Sequence, residues 1–64
     1  MLVLDCYTKN IYLKNQLIGY VDKDGNMYVY RKLIGYLEEN GDILVNEQKV
    51  GYIDDGGDIH FRGK

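Results

Sequence analysis

The chain carries one thiol, Cys6, and one imidazole, His60, the two side chains best suited to nucleophilic or acid–base chemistry. A working pair would have to stand within hydrogen-bond reach, with a third group to orient the base. The sequence contains no serine, and no orienting residue or oxyanion loop can be identified beside either side chain. One Cys and one His do not make a zinc ligand set. Asp22-Lys23-Asp24-Gly25-Asn26 opens like a calcium-binding EF-hand loop, yet Met27 stands at the turn-glycine position and Leu33 at the bidentate glutamate position. An acidic turn accounts for these residues better. No glycine-rich loop leads into a helix to cradle phosphate. The expectation is a protein that is not an enzyme, with no catalytic residue, no metal site and no cofactor.

Binding chemistry is better represented. Segments 5–10, 21–26, 37–42 and 53–58 hold nine acids and two lysines, about −7 in all. The remaining positions hold Lys14, Arg31, Lys32, Lys49, Arg62 and Lys64 against Glu47 alone, about +5, in keeping with the net charge of −2. If the acidic segments share one end of the molecule, the other end is basic. That separation would steer an anionic ligand or favour head-to-tail association. Turn chemistry and solvated ends alone also produce such a pattern. Overall acidity argues against extended duplex nucleic acid. Tyr20, Tyr36 and Tyr52, with Tyr12, Tyr28 and Tyr30, could form a stacking surface, or could serve only the sheet through cross-strand pairs.

The elements that must position these groups are set by a repeat. Leu33-Ile34-Gly35-Tyr36-Leu37-Glu38-Glu39-Asn40-Gly41-Asp42-Ile43-Leu44-Val45 has a copy sixteen residues earlier, from Ile18-Gly19-Tyr20-Val21-Asp22, and another sixteen later, from Val50-Gly51-Tyr52-Ile53-Asp54. A worn first copy reads Leu2-Val3-Leu4-Asp5 and then Asn10-Ile11-Tyr12-Leu13. Four units, 1–16, 17–32, 33–48 and 49–64, account for the whole chain as one domain. The last three units place Asp24-Gly25, Asn40-Gly41 and Gly56-Gly57 between apolar runs, the signature of a β-hairpin. The first unit has no glycine there, and Asn10 is the residue that tolerates a left-handed backbone. Connections around Arg31-Lys32 and Glu47-Gln48-Lys49 are too short for a crossover helix. The fold class is therefore all-β: four hairpins in an antiparallel meander around a pseudo-four-fold axis.

Alternation places Ile11, Met27, Ile43 and Ile59, with Leu13, Val29, Val45 and Phe61 two residues on, along one buried face. Tyr12, Tyr28, Leu44 and His60 then face outward or a partner. For the first strand of each hairpin two registers are open. A two-residue loop turns Tyr20, Tyr36 and Tyr52 inward, whereas a turn with a glycine bulge turns Val21, Leu37 and Ile53 inward. Both rows are apolar, so the pattern does not choose; we favour the second. Gly19, Gly35 and Gly51 mark a close backbone approach or a strong bend.

A unit of the form Ile-Gly-Tyr-Val-Asp-x-Asp-Gly at nearly constant period resembles the β-flower repeat proteins, in which hairpins surround a rotational axis like petals. The resemblance covers Leu17 to Phe61 well and the first unit loosely, and four units look like the four-fold form. Lys49-Val50-Gly51-Tyr52-Ile53-Asp54-Asp55-Gly56-Gly57 also resembles WG-type repeats, whose units are about twice as long as these 16 residues. Neither resemblance carries a catalytic residue set to this chain. What it implies is a fold.

At 64 residues the chain is near the size at which one core is only just sufficient, which makes oligomerisation a route to further burial. A lone cysteine fits a reducing compartment, and there is neither a signal-peptide pattern nor a long apolar run, so the expected location is the cytoplasm. The absence of proline and the wealth of Tyr, Ile, Lys and Asn point to an AT-rich bacterial or phage gene. The expected function is a non-enzymatic interaction and assembly module, homo-oligomeric or bound to a protein partner. The alternative is a small anion- or nucleotide-binding protein, or a phage-encoded inhibitor of a host system, working at the basic end. The candidate binding residues are Arg31, Lys32, Lys49, Lys14, Arg62, Tyr28 and Tyr30. The first strand, Leu2 to Asp5, is expected to meet the last and close the ring.

Overall fold

Two kinds of turn alternate along the chain and between them set its shape. The computed structural model describes residues 1–62, arranged as β1 (Leu2–Leu4), β2 (Asn10–Leu13), β3 (Gln16–Val21), β4 (Asn26–Val29), β5 (Lys32–Leu37), β6 (Asp42–Val45), β7 (Gln48–Ile53) and β8 (Ile59–Phe61). All pair antiparallel in the order β1 to β8 as a single meander, and no helix occurs among the described residues. Every connection of one kind therefore lies at one end of the molecule, and every connection of the other kind lies at the opposite end.

The first kind is a three-residue turn. The Gly25 amide donates to the Asp22 carbonyl at 3.0 Å, the Asp22 amide to the Asn26 carbonyl at 2.9 Å, and Gly25 has φ +95°. Glu38 to Asp42 and Asp54 to Asp58 repeat this arrangement, with Gly41 and Gly57 at φ +97° and +92°. A tight turn followed by a left-handed glycine is the three-residue hairpin loop. It settles the register. Val21 pairs with Met27, Leu37 with Ile43 and Ile53 with Ile59, all turned inward, while Tyr20, Tyr36 and Tyr52 stay on the outer wall.

The second kind is tighter than a run of polar residues foretells. Lys14-Asn15, Tyr30-Arg31 and Asn46-Glu47 each form a two-residue turn in which both φ angles are positive, between 51° and 69°. Two left-handed residues in succession match the right-handed twist of the flanking strands. Asn15 and Asn46 tolerate this conformation, whereas Lys14, Tyr30, Arg31 and Glu47 are strained by it, by about 1–2 kcal/mol each. These turns close three arms, β2–β3, β4–β5 and β6–β7.

In the first unit one residue more is accommodated than the sixteen-residue period allows for. The Asp5 amide donates to the Asn10 carbonyl at 2.9 Å across a loop of four residues, and Lys9, not Asn10, takes the left-handed conformation, at φ +63°. Leu4 thus stands where Val21 does in the next unit, and Val3 where Tyr20 does. The Lys14 amide accordingly reaches the Met1 carbonyl, as the Tyr30 amide reaches that of Ile18.

Within each arm the ladder shifts register between Ile11 and Tyr12, Met27 and Tyr28, or Ile43 and Leu44, leaving Ile18, Ile34 or Val50 as the extra residue of a bulge. The bulge sends that residue inward together with the one three places on, so one strand feeds two layers of core. Gly35 lies beside its bulge, where an added Cβ would come 2.8 Å from the Leu44 carbonyl oxygen of the neighbouring arm. That is the close approach the glycine row foretold.

Closure is made by one repeated bond. The amides of Val21, Leu37, Ile53 and Leu4 donate to the carbonyls of Lys9, Gly25, Gly41 and Gly57 at 2.8, 2.7, 2.8 and 2.7 Å. Each turn is thereby clasped by the following arm, and the last clasp, with the Val3–Asp58 bridge, joins β1 to β8 in a nearly closed barrel. Ile11, Met27 and Ile43 are buried at the axis beneath Leu4 and Val21, with Ile18 in the same cluster. Each fully buried side chain contributes about 1.5–3 kcal/mol relative to exposure. Leu13, Val29 and Ile59 are partly buried against them. Phe61 corrects the expected inward row. It is 48 % exposed, because β8 has a ladder on its β7 side and only the Val3–Asp58 bridge on the other.

Candidate interaction surface

The outer wall carries the same cross-strand pair four times: Val3 opposite Tyr12, Tyr20 opposite Tyr28, Tyr36 opposite Leu44, and Tyr52 opposite His60. Tyr20 stacks on Tyr28 with ring centroids 5.1 Å apart, and Tyr52 stacks on His60 at 4.8 Å. Each stack adds about 0.5–1.5 kcal/mol beyond area burial. These tyrosines therefore brace the wall, yet Tyr20, Tyr36 and Tyr52 each keep nearly half their surface in water.

Across the arm from Tyr12, Tyr28 and Leu44 stand Leu17, Leu33 and Lys49. In the turns at the arm tips stand Lys14, Tyr30 and Asn46. The second arm differs from its equivalents in being apolar at all of these places. Tyr30 is 66 % exposed and Leu33 60 % exposed. Beside Leu33, the second and third arms diverge after Tyr36–Leu44, with no Gly35–Val45 pair, whereas Gly19–Val29 and Gly51–Phe61 hold at the two corresponding junctions. The gap is a groove of about 340 Å³ lined by Leu33, Ile34, Tyr36, Leu44 and Val45, with Asn46 and Glu47 at its edge.

At the three-residue-turn end lies a bowl of about 590 Å³. Its floor is Leu4, Val21, Leu37 and Ile53, one residue from each unit, and Asp24, Glu38 and Glu39 reach its rim with Lys9 and Lys23. Asp22 lines it too, but its carboxylate is taken up by the turn: Oδ1 accepts from the Asp24 and Asn26 amides, both at 2.9 Å. These bonds, first that of the Asn26 amide, hold the Asp22 carboxyl below its ordinary 3.8. The resemblance of this segment to a calcium loop thus has a local explanation, and no metal-binding cluster occurs among the described residues.

The seven expected binding residues separate into two groups. Tyr28, Tyr30, Arg31 and Lys32 share the second arm. Lys14 stands at the tip of the first arm, Lys49 on the third, and Arg62 follows β8, so the cations are distributed among arms. Lys49 is occupied by Asp42, Nζ to Oδ1 3.2 Å. Neither the groove nor the bowl is lined by Arg31, Lys32, Lys49, Lys14 or Arg62. Lys64, counted with the basic end, lies outside the described residues.

Two features escaped the sequence. Leu33 is one; its exposure follows from the bulge, which no residue type announces. The other is an orienting group for His60. His60 Nε2 donates to Asp54 Oδ2 at 2.9 Å, while Oδ1 of the same carboxylate accepts from the Gly56 and Asp58 amides at 3.0 Å. Asp54 follows the end of β7, two residues beyond Tyr52, the residue opposite His60, so the pair is a diagonal one that only the turn register supplies. Cys6 is exposed in the first loop. Among the described residues no helix is long and apolar enough to cross a membrane. Comparison of the chain with protein-family models, with curated proteins and with solved structures finds no match.

Proposed function

We propose that this chain is a non-enzymatic interaction and assembly module that docks through the second arm, with Tyr28, Tyr30 and Leu33 as its apolar contacts and Arg31 and Lys32 beside them. One observation carries the reading: on a scaffold that repeats itself, equivalent outward positions are unequally apolar. The tip position holds Lys14 and Asn46 in the other arms, and the position of Leu33 holds Lys49 in the third, so folding does not require Tyr30 or Leu33. Tyr30 also sits at φ +51°, where asparagine would be less strained. An exposed tyrosine and leucine next to a groove serve contact with another molecule better than they serve the monomer.

The test uses the internal control that the repeat provides. A photoreactive phenylalanine analogue is placed at Tyr30, or at Lys14 as the equivalent site in the first arm. The expected result is a discrete cross-linked protein adduct from the Tyr30 site and little from the Lys14 site. Equal yields at both, or none at either, would sink the reading.

A further inference from the structure

We infer that the partner of the second arm is the bowl of another copy of the same chain, so that copies associate head to tail. This rests on the docking role of the second arm and names what that arm meets. The two surfaces lie at opposite ends of the molecule, because two-residue and three-residue turns alternate along an antiparallel meander. They are also complementary. The arm tip presents Tyr30, exposed and flanked by Arg31 and Lys32. The bowl presents an apolar floor, one side chain from each unit, in about 590 Å³ of space, which is ample for an aromatic ring.

Charge fits as well. Neither Arg31 nor Lys32 has an ion-pair partner among the described residues, and nor have Asp24, Glu38 and Glu39 on the rim. Lys9 and Lys23 reach the same rim and moderate its charge without reversing it. Asp22, the fourth rim acid, is committed to its turn. In the complex Tyr30 enters the bowl, and Arg31 and Lys32 meet Asp24, Glu38 and Glu39. The contact joins two different patches. A joined pair therefore keeps a free bowl on one copy and a free tip on the other, and growth continues as a ring or a filament instead of stopping at a two-fold dimer.

Sedimentation velocity on the purified chain tests this across a range of protein concentrations, at about 0.01 M and about 1 M salt, where charges are screened over about 30 Å and about 3 Å. The expected result is an average mass that rises with concentration at low salt and falls back at high salt. Tyr30→Asn places at the tip the residue found in the third arm, so it should fold with an unchanged or higher thermal midpoint while weakening association at least about tenfold, or about 1.4 kcal/mol. Glu38→Lys with Glu39→Lys should weaken it similarly from the bowl side. Mixed, the two variants should form a heterodimer and nothing larger, since one retains its bowl and the other its tip. A monomeric wild type at every concentration overturns the proposal, as does association that survives both variants or a mixture that stays monomeric. If the wild type is monomeric while the Tyr30 photoprobe captures a different protein, the head-to-tail contact fails and the docking role of the arm stands.

Discussion

Asp54 carries two roles at once. Its Oδ1 shapes the last three-residue turn and its Oδ2 holds His60 against Tyr52. The hydrogen bond from His60 and then that from the Asp58 amide keep its carboxyl below the ordinary 3.8. A carboxyl depressed on folding stabilises the folded state above its unfolded value, and that stabilisation is lost as pH falls through the folded value. Asp54→Asn keeps an oxygen for the turn amides but loses the charge, so the urea midpoint should fall less steeply between about pH 5 and pH 2 than in the wild type. Asp54→Ala, which loses both acceptors, should be less stable than Asp54→Asn at neutral pH. Identical acid limbs for wild type and Asp54→Asn would show that the pairing with His60 contributes nothing. The turn role of Asp54 was legible from Asp beside glycine. Its grip on His60 was not, because that depends on the register that sets His60 opposite Tyr52 and so brings Asp54, two residues on, diagonally within reach.

The arm, closed by a two-residue turn, is the element that repeats. In the third arm Asn46 already suits its left-handed conformation, whereas Glu47 at φ +68° is strained. Glu47→Gly would complete the favoured Asn-Gly pair and should stabilise the protein by about 0.5–1 kcal/mol, the relief of strain exceeding the added freedom of glycine when unfolded. Thermal unfolding should show a midpoint higher by a few degrees, about 4–8 °C per kcal/mol for a domain this small. A lower midpoint would mean that the Glu47 side chain makes a contact that outweighs its backbone strain. At this scale the sequence was most and least informative at once. Glycines at constant spacing marked the three-residue turns and the close approach at Gly35, and therefore the strands between them. The tighter turns carry no glycine, so the sequence marked only polar connections around Arg31-Lys32 and Glu47-Gln48-Lys49, and the turns themselves fall at Tyr30-Arg31 and Asn46-Glu47, with a third at Lys14-Asn15. The register of β3, β5 and β7 was open until the conformation of Gly25 and its equivalents chose the bulged form.

Across the whole molecule, the quasi-equivalent clasps permit comparison within one protein. The Val21, Leu37 and Ile53 amides are each secured beside full ladders, whereas Leu4 closes a seam that has one bridge besides its own bond. In hydrogen exchange the Leu4 amide should therefore be the least protected of the four, by at least about tenfold, a difference of about 1.4 kcal/mol in opening. Equal protection would mean that the barrel opens only when everything unfolds. The four-fold frame and the expectation that first and last strands meet were both readable from the period. The extra residue in the first loop, which places Leu4 where Val21 would be, was hidden, because the worn copy has neither the Gly-Tyr pair nor a turn glycine to fix its alignment. The clasp has a kinetic side too. Every strand pairs with its neighbour in sequence, so the loops to be closed during folding are short, and only the β1–β8 seam joins distant parts of the chain. Chains dominated by local pairings cross their folding barrier sooner than other β proteins of similar size. With that seam formed last, this barrel would fold with the speed of a chain of hairpins, and the seam would be felt chiefly in how fast it comes apart.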